Sequence, residues 1–385
     1  MGWVTMRTGW DSLNDTLVTF NAPEFSVNLG YTKIGGGSFT IDRKGPLVIH
    51  AGNGAHDSYQ ESSWSHNIML FVPPNQPSGA NSSYLDGGGQ RRMYNSNLCN
   101  TGMGAMTENG QCDMREGDLK IQFRDADTGR DYSYVGANLI RYYNSPLSSN
   151  TYDYPKVKSY TRQFVYFYPD TPGADPDRIV VFDRAESLDT SYEKRWLLHT
   201  SNNPSVNGAA TPNTPVRGGS GARKTTYTGA DLITDSNTVN GANGKVFVKV
   251  LLPESRKIVE VNGRETPYGA DTEWWTTPSA SQLPYSGTSR VEVIPTTPSL
   301  KDNFLHVLEA TDAGVSSMTS STLLQGTNMQ GARFGNRIVM FNQNEATLTS
   351  GNFVIDSVGT YKVLIADLTP GANYTISHNP SVTQT

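Results

Sequence analysis

Almost nowhere in these 385 residues do apolar side chains recur at the spacing that builds a helical face. The chain instead offers strand-length runs such as NIMLFV, DLKIQF, RQFVYFY, RIVVFDR, KVFVKVLL, RVEVI and RIVMF, all β-branched or aromatic and bounded by turn residues. Many strands at short intervals, without helices to carry parallel crossovers, predict an all-β chain: a large antiparallel two-layer β-sandwich. One set of strands closes at VEVIPTTPS, which places the sandwich in 1–295 and a smaller C-terminal β-sheet domain in 296–385. The longest irregular stretches, 73–118 and 200–228, are long enough to suggest a binding rim.

Charge excludes some partners. A net charge of -5 argues against a general nucleic-acid binder, which needs an electropositive surface to hold phosphates. A highly sulfated polymer would need a local basic patch. No apolar run is long enough to span a membrane. Two cysteines, Cys99 and Cys112, share the segment NLCNTGMGAMTENGQCD, and a disulfide between them in a secreted, extracellular or periplasmic protein is the expectation. No secretory leader precedes MGWVTMRTGW, so the leader is expected to have been removed or the chain to be the downstream part of something longer.

Three of the six histidines lie in IHAGNGAHDSYQESSWSHN, residues 49–67. The apolar strands GPLVIH and HNIMLFV flank a Gly, Asn and Ser-rich segment, so a hairpin-like excursion is expected, with His50 and His66 brought to the same end of the sheet. Neutral imidazoles are good zinc ligands, and His56 or Asp57 could supply a third donor. Zinc or calcium are therefore candidate ions, though no cofactor is firmly implied, and hydrogen-bonded structural histidines remain the alternative. Lys33 argues against a cation nearby, because an ammonium repels one. The GADPDR turn is acidic but lacks EF-hand spacing, which suggests a solvated loop. Trp274 and Trp275 in WWTTP, and Tyr142, Tyr143, Tyr152 and Tyr154, suit either sugar stacking or a sandwich core.

Several phrases together resemble the β-sandwich portion of the heparinase II/III-like polysaccharide lyases. They are MRTGWDSLNDTLVTF, GSFTIDRKGPLVIHAG, SHNIMLFVPP, DYSYVGANLIRYYNS, the block from TRQFVYFYPD to KRWLLHT, KVFVKVLLPES and RVEVIPTTPSLKDNFLHVLE. They follow the family's order over about residues 3–310. In that family an α-helical toroid precedes the sandwich, the polysaccharide lies between the two, and the reaction is β-elimination at a uronic acid. That chemistry needs a group to neutralise the carboxylate, a base for the C5 proton and an acid for the leaving oxygen.

Aligning Gly36–Phe39 with the family's His-x-His-x-Asp-Ala-Gly-x-Phe pattern places Tyr31 at the catalytic His and Lys33 at the second His. Gly35 then stands at the Asp, His50 at a later Asp, and His66 with Asn67 on a His-Asn pair. The resemblance thus implies catalytic candidates Tyr31, Lys33, Tyr59 and His66: Lys33 to neutralise the carboxylate, and Tyr31 or Tyr59 to donate a proton. In metal-bearing relatives the second His, the later Asp and the last His hold zinc, which leaves His50 and His66 as the candidate ligands here. Arg141 and Arg162 occupy strands that face the cleft in the relatives, so with Trp274 and Trp275 they are substrate-binding candidates; arginine suits a planar carboxylate.

The partner implied is an acidic polysaccharide, with the toroid supplied elsewhere. Two other classes compete with a lyase: a sandwich that binds glycan without cleaving it, and a structural protein that self-assembles into homo-oligomers through its sheet edges.

Overall fold

The computed structural model describes residues 2–10, 12–22, 35–51, 63–74, 88–90, 124–125, 131–144, 155–171, 175–212, 223–262, 289–375 and 377. The described chain is almost all β and forms two compact units, Met1–Ser317 and Met318–Thr385.

In the larger unit two antiparallel sheets face each other. One has ten strands: Trp3–Arg7, Leu17–Asn21, Ser38–Asp42, Pro46–Val48, Glu193–Thr200, Ser289–Pro295, Arg256–Asn262, Arg223–Thr228 and Ala209–Pro212 in that spatial order, with Met69–Val72 also paired to Glu193–Thr200. The other has eight strands, with Gly244–Leu252, Lys301–Asp312, Asp177–Ser187 and Val157–Phe167 at its centre. Alternation along each strand fills the space between them. Val18 and Phe20, Phe39 and Ile41, Trp196 and Leu198, and Val291 and Val293 from the first sheet meet Tyr160, Phe164, Val181, Phe304 and Leu308 from the second in one apolar cluster.

The strand Lys301–Asp312 pairs with both Asp177–Ser187 and Gly244–Leu252, so it is structurally central to the sandwich. The boundary expected at 295/296 therefore falls too early; the larger unit runs to Ser317. Part of the stretch 200–228 expected to be irregular is ordered as Ser205–Val206, Ala209–Pro212 and Arg223–Thr228. The expected solvated GADPDR loop is also corrected: Asp177 is fully buried, accepting hydrogen bonds from Thr16 and Tyr166 and an ion pair from Arg43.

The smaller unit holds a four-stranded sheet. Ser321–Gly326, Met329–Phe334 and Arg337–Asn342 form an antiparallel meander, and Lys362–Ile365 adds in parallel to the last of them. The two-residue connections 327–328 and 335–336 each carry one left-handed residue, Asn328 (φ 62°) and Gly335 (φ 55°). Leu324, Met329, Ile338, Met340 and Leu348 make its core.

Candidate functional site

The strands on either side of the histidine-rich segment do not pair with each other as a hairpin would. Both lie along the same edge of Glu193–Thr200: Val48 opposite Thr200, and Met69–Val72 opposite Trp196–Glu193. They run in the same direction, so together they form one strand interrupted by an excursion from residue 49 to 68. At the break, Ile49 N–H donates to His199 O (3.1 Å) and Leu197 N–H to Ile68 O (2.9 Å), while Ala51 N–H meets Ser65 O (2.9 Å). His50 and His66 stand where the chain leaves and where it returns. Their rings are neighbours, with centroids 4.9 Å apart.

Asn67 fills the gap that the interruption opens in the ladder. Its Nδ2 donates to Phe39 O (2.8 Å) and Ile49 O (3.0 Å), and its Oδ1 accepts from His199 N–H (2.7 Å). One side-chain amide thus serves three main-chain groups that no strand partner reaches, as a buried backbone demands. Ser38 Oγ joins the two halves of the site, accepting from Asn67 N–H (3.0 Å) and lying 3.3 Å from His50 Nδ1. Ser65 Oγ lies 2.9 Å from His66 Nδ1.

The 3₁₀ turn Ser63–Ser65 lays Trp64 over Leu70 and Leu197 on the outer side of the ten-stranded sheet. Arg290 and Arg195 stack on its ring at 4.9 and 5.6 Å. The Trp64 carbonyl lies 2.9 Å from His199 Nε2. Burial, Arg290 and the nearby His50 hold His199 well below the ordinary histidine range, the Trp64 carbonyl opposing them. Beside it Glu292 bridges Arg290 (2.7 Å) and Arg195 (3.0 Å); burial alone would raise its carboxyl, but these cations and Lys224 bring it down to about 2.

The glycines before Ser38 are pressed against this site. A Cβ on Gly35 would stand 2.2 Å from His66 Cδ2, and one on Gly36 2.2 Å from Tyr142 Cζ. Gln90 pairs with the Gly36 backbone in both directions, its Nε2 donating to Gly36 O and its Oε1 accepting from Gly36 N–H. Gly37 takes φ +84°, which favours glycine.

Of the residues singled out in the sequence, His50 and His66 come together, His50 half-buried and His66 only 2% exposed. Arg162 is not a substrate contact, which corrects that expectation. It shares parity with Tyr160, Phe164 and Tyr166, so it points between the sheets and is fully buried. There its Nε and Nη2 donate to Asp183 (2.7 and 3.0 Å) and its Nη1 to Gly37 O and Asn67 O (2.6 and 2.7 Å). It braces the site from beneath. Tyr142 and Tyr143 belong to the core, Tyr143 donating to Met69 O. Tyr31, Lys33, His56, Asp57, Tyr59, Cys99, Cys112, Tyr152, Tyr154, Trp274 and Trp275 lie outside the described residues, as does the side chain of Arg141.

The described residues alone do not complete a metal site. Zinc takes three or four protein ligands and calcium six to eight oxygens. Two imidazoles supply two donors, among the described residues no group of three His, Cys, Asp or Glu gathers, and His56 and Asp57, the expected sources of a third, lie outside them.

No protein-family model matches the chain, and no curated protein matches its sequence. Among solved structures, a mutant of the heparan sulfate lyase HepC from Pedobacter heparinus matches 92% of this chain with a TM-score of 0.50 and 10% sequence identity. The chain shares its fold with part of that lyase. The lyase without the mutation gives a TM-score of 0.48 at 10% identity, again over 92% of this chain, and a heparinase III gives 0.47 at 9% identity over 86%. The chain spans 41% of the length of each of the two HepC structures and 39% of the heparinase III. The likeness is one of fold, over 41% of the HepC mutant.

Proposed function

We propose that this chain is the sandwich part of a lyase-like protein that handles an acidic, uronic-acid-containing polysaccharide outside the cell, and that the ligand meets it at the His50 and His66 pair. The observation that carries this is the meeting of two imidazoles, 4.9 Å apart, at the interruption of an otherwise continuous strand. Two imidazoles side by side suit a reaction in which one proton leaves a carbon and another reaches a departing oxygen. The Ser38 and Ser65 hydroxyls at each Nδ1 fix the orientation of the rings. Lys33 is proposed as the carboxylate partner, with Tyr31 or Tyr59 as proton donor. A helical toroid from elsewhere would close the opposite wall.

A second reading, glycan binding without cleavage, is favoured by the near-complete burial of His66 and by the constraints on it. A side chain 2% exposed, with Gly35 against its ring, is better placed to support a ligand-binding wall than to move a proton at an open surface.

Incubation with alginate, glucuronan, hyaluronan and heparan sulfate tests both. Growth of the ultraviolet absorbance of an unsaturated uronate, lost in His50→Ala and His66→Ala, supports the lyase reading. Retention of a glycan on an affinity gel without that absorbance supports the binding reading, and neither signal with any of the four overturns both.

A further inference from the structure

The outer face of the ten-stranded sheet continues past His50 toward the sheet edge, over the three strands Trp3–Arg7, Leu17–Asn21 and Ser38–Asp42. Register sets the rows. Trp3 lies opposite Asn21 and Asn21 opposite Ser38; Thr5 lies opposite Thr19 and Thr19 opposite Thr40. Val4, Met6, Val18 and Phe20 point into the core, so the odd-numbered residues of the first two strands face outward. Ser38 is the residue that touches His50. Strands stand about 4.8 Å apart, so the Trp3 row begins about 10 Å from Ser38, which is itself buried beside His50 where the ribbon meets the histidine site.

Two large rings stand open on this ribbon. Trp3 is 63% exposed and Trp10 is 72% exposed, with the Arg7 guanidinium stacked on Trp10 at 4.5 Å. Between them lie hydroxyls, Thr5 and the Thr19–Thr40 pair (2.6 Å), rather than more apolar surface. On this ribbon two enclosed polar atoms, Arg7 Nε and Asn21 Oδ1, have no hydrogen-bond partner among the described residues. Buried polar atoms in a folded protein are normally satisfied, so these two leave hydrogen-bonding capacity at the surface for water or a ligand.

We infer that this ribbon is a subsite for an acidic oligosaccharide, in which Trp3 and Trp10 stack on sugar faces and Arg7 and Asn21 bond its carboxylate and hydroxyl groups, extending the track from His50 to the sheet edge. The chemistry of the surface selects that ligand. Indole rings lie flat on the apolar faces of pyranoses, which also need hydroxyl and amide partners at their rims. Tryptophan and arginine are also enriched at protein interfaces, so a second copy of the chain is the rival occupant that the test must separate. Arg7 forms no ion pair among the described residues, which suits a ligand that brings its own anion. The inference rests on the proposed glycan reading for the class of ligand, and on the ribbon alone for the position.

The test uses the full chain and affinity electrophoresis in gels containing alginate, hyaluronan or uncharged cellulose-derived polymer. Trp3→Ala and Trp10→Ala are each expected to weaken retention by an acidic polymer about tenfold, the loss usual for an aromatic anchor, while circular dichroism stays that of the unaltered chain. Arg7→Gln is expected to reduce retention by the acidic polymers and leave any retention by the neutral one unchanged. Retention that depends on His50 and His66 but is untouched by Trp3→Ala and Trp10→Ala overturns this inference and leaves the proposed function standing. Retention that depends on the tryptophans but not on the histidines supports the subsite and removes the histidine pair from ligand binding. No retention by any polymer overturns both. Self-association in sedimentation that Trp3→Ala abolishes, with glycan affinity unchanged, assigns the rings to a second copy of the chain and overturns the inference.

Discussion

The Oδ1 of Asn67 accepts the His199 main-chain N–H at 2.7 Å while its Nδ2 reaches Phe39 O and Ile49 O, so one amide closes a strand break. No other side chain of this size offers one acceptor and two donors in that geometry. Asn67→Ala leaves buried main-chain groups without partners and is expected to cost roughly 2–4 kcal/mol. Asn67→Asp keeps the acceptor, loses both donors and brings a carboxylate against two carbonyls, so it should be at least as destabilising. Urea unfolding checks both; a loss under 1 kcal/mol in Asn67→Ala would show that the break closes in another way.

Gly35 and His66 give a sharper prediction, because the fit is steric. With a Cβ at 2.2 Å from Cδ2, Gly35→Ala forces the His66 ring off Ser65 and away from His50, or moves the strand. Overpacking of this kind costs about 1–3 kcal/mol. The ring resonances of His66 in NMR spectra should shift strongly, and those of His306, remote in the core, should stay in place. Unchanged His66 resonances would sink the contact.

The sandwich was legible because strand-length apolar runs admit few other folds, and the meeting of His50 and His66 was legible from their places at the two ends of one excursion. The geometry of that meeting was not. A hairpin and an interrupted strand present the same local sequence, and only the third strand, Glu193–Thr200, distinguishes them. Parity within YTRQFVYFY does reveal that Arg162 shares a face with Tyr160, Phe164 and Tyr166, which the likeness to cleft-facing strands obscured. Asn67 stood out only as the second member of the His-Asn pair, with no hint of its role, and His199 and Gln90 left no signal: the work of all three is to satisfy groups brought close by distant parts of the chain. Trp3 and Trp10 were hidden for another reason, since exposure cannot be read from residue type.

Arg162 and Asp183 are direct cross-strand partners, both fully buried. Removing one charge strands the other, so Arg162→Met is expected to destabilise the larger unit by about 3–5 kcal/mol. Arg162 also donates to Gly37 O and Asn67 O, so the double variant Arg162→Met with Asp183→Leu should recover only part of that loss. Complete recovery in denaturant unfolding would mean that the two carbonyl contacts contribute nothing to stability.

Acid stability sets two kinds of group against each other. His306 stacks on Trp196 at 3.8 Å between the sheets, and neither of its ring nitrogens has a hydrogen-bond partner. Burial, then Arg162 and Arg256, hold it well below the ordinary histidine range, as burial and Arg290 hold His199. A histidine with a depressed folded pKa contributes stability that is complete above its unfolded value of about 6.5 and is lost as pH falls toward the folded value. Asp42 works in the opposite direction. Burial raises its carboxyl from 3.8 to about 6, so its contribution is complete below pH 3.8 and lost as pH rises through about 6. Over the interval where both titrate the slopes oppose, and single variants separate them. His306→Leu should gain on the unaltered chain as pH falls from about 7 to 5, with little change in the difference above pH 7. Asp42→Asn should show the reverse, its advantage growing from pH 4 to 6 and then holding constant. Melting temperatures measured across that range decide between the two: parallel curves for His306→Leu and the unaltered chain would mean that His306 titrates near its unfolded value and would overturn its depression by burial.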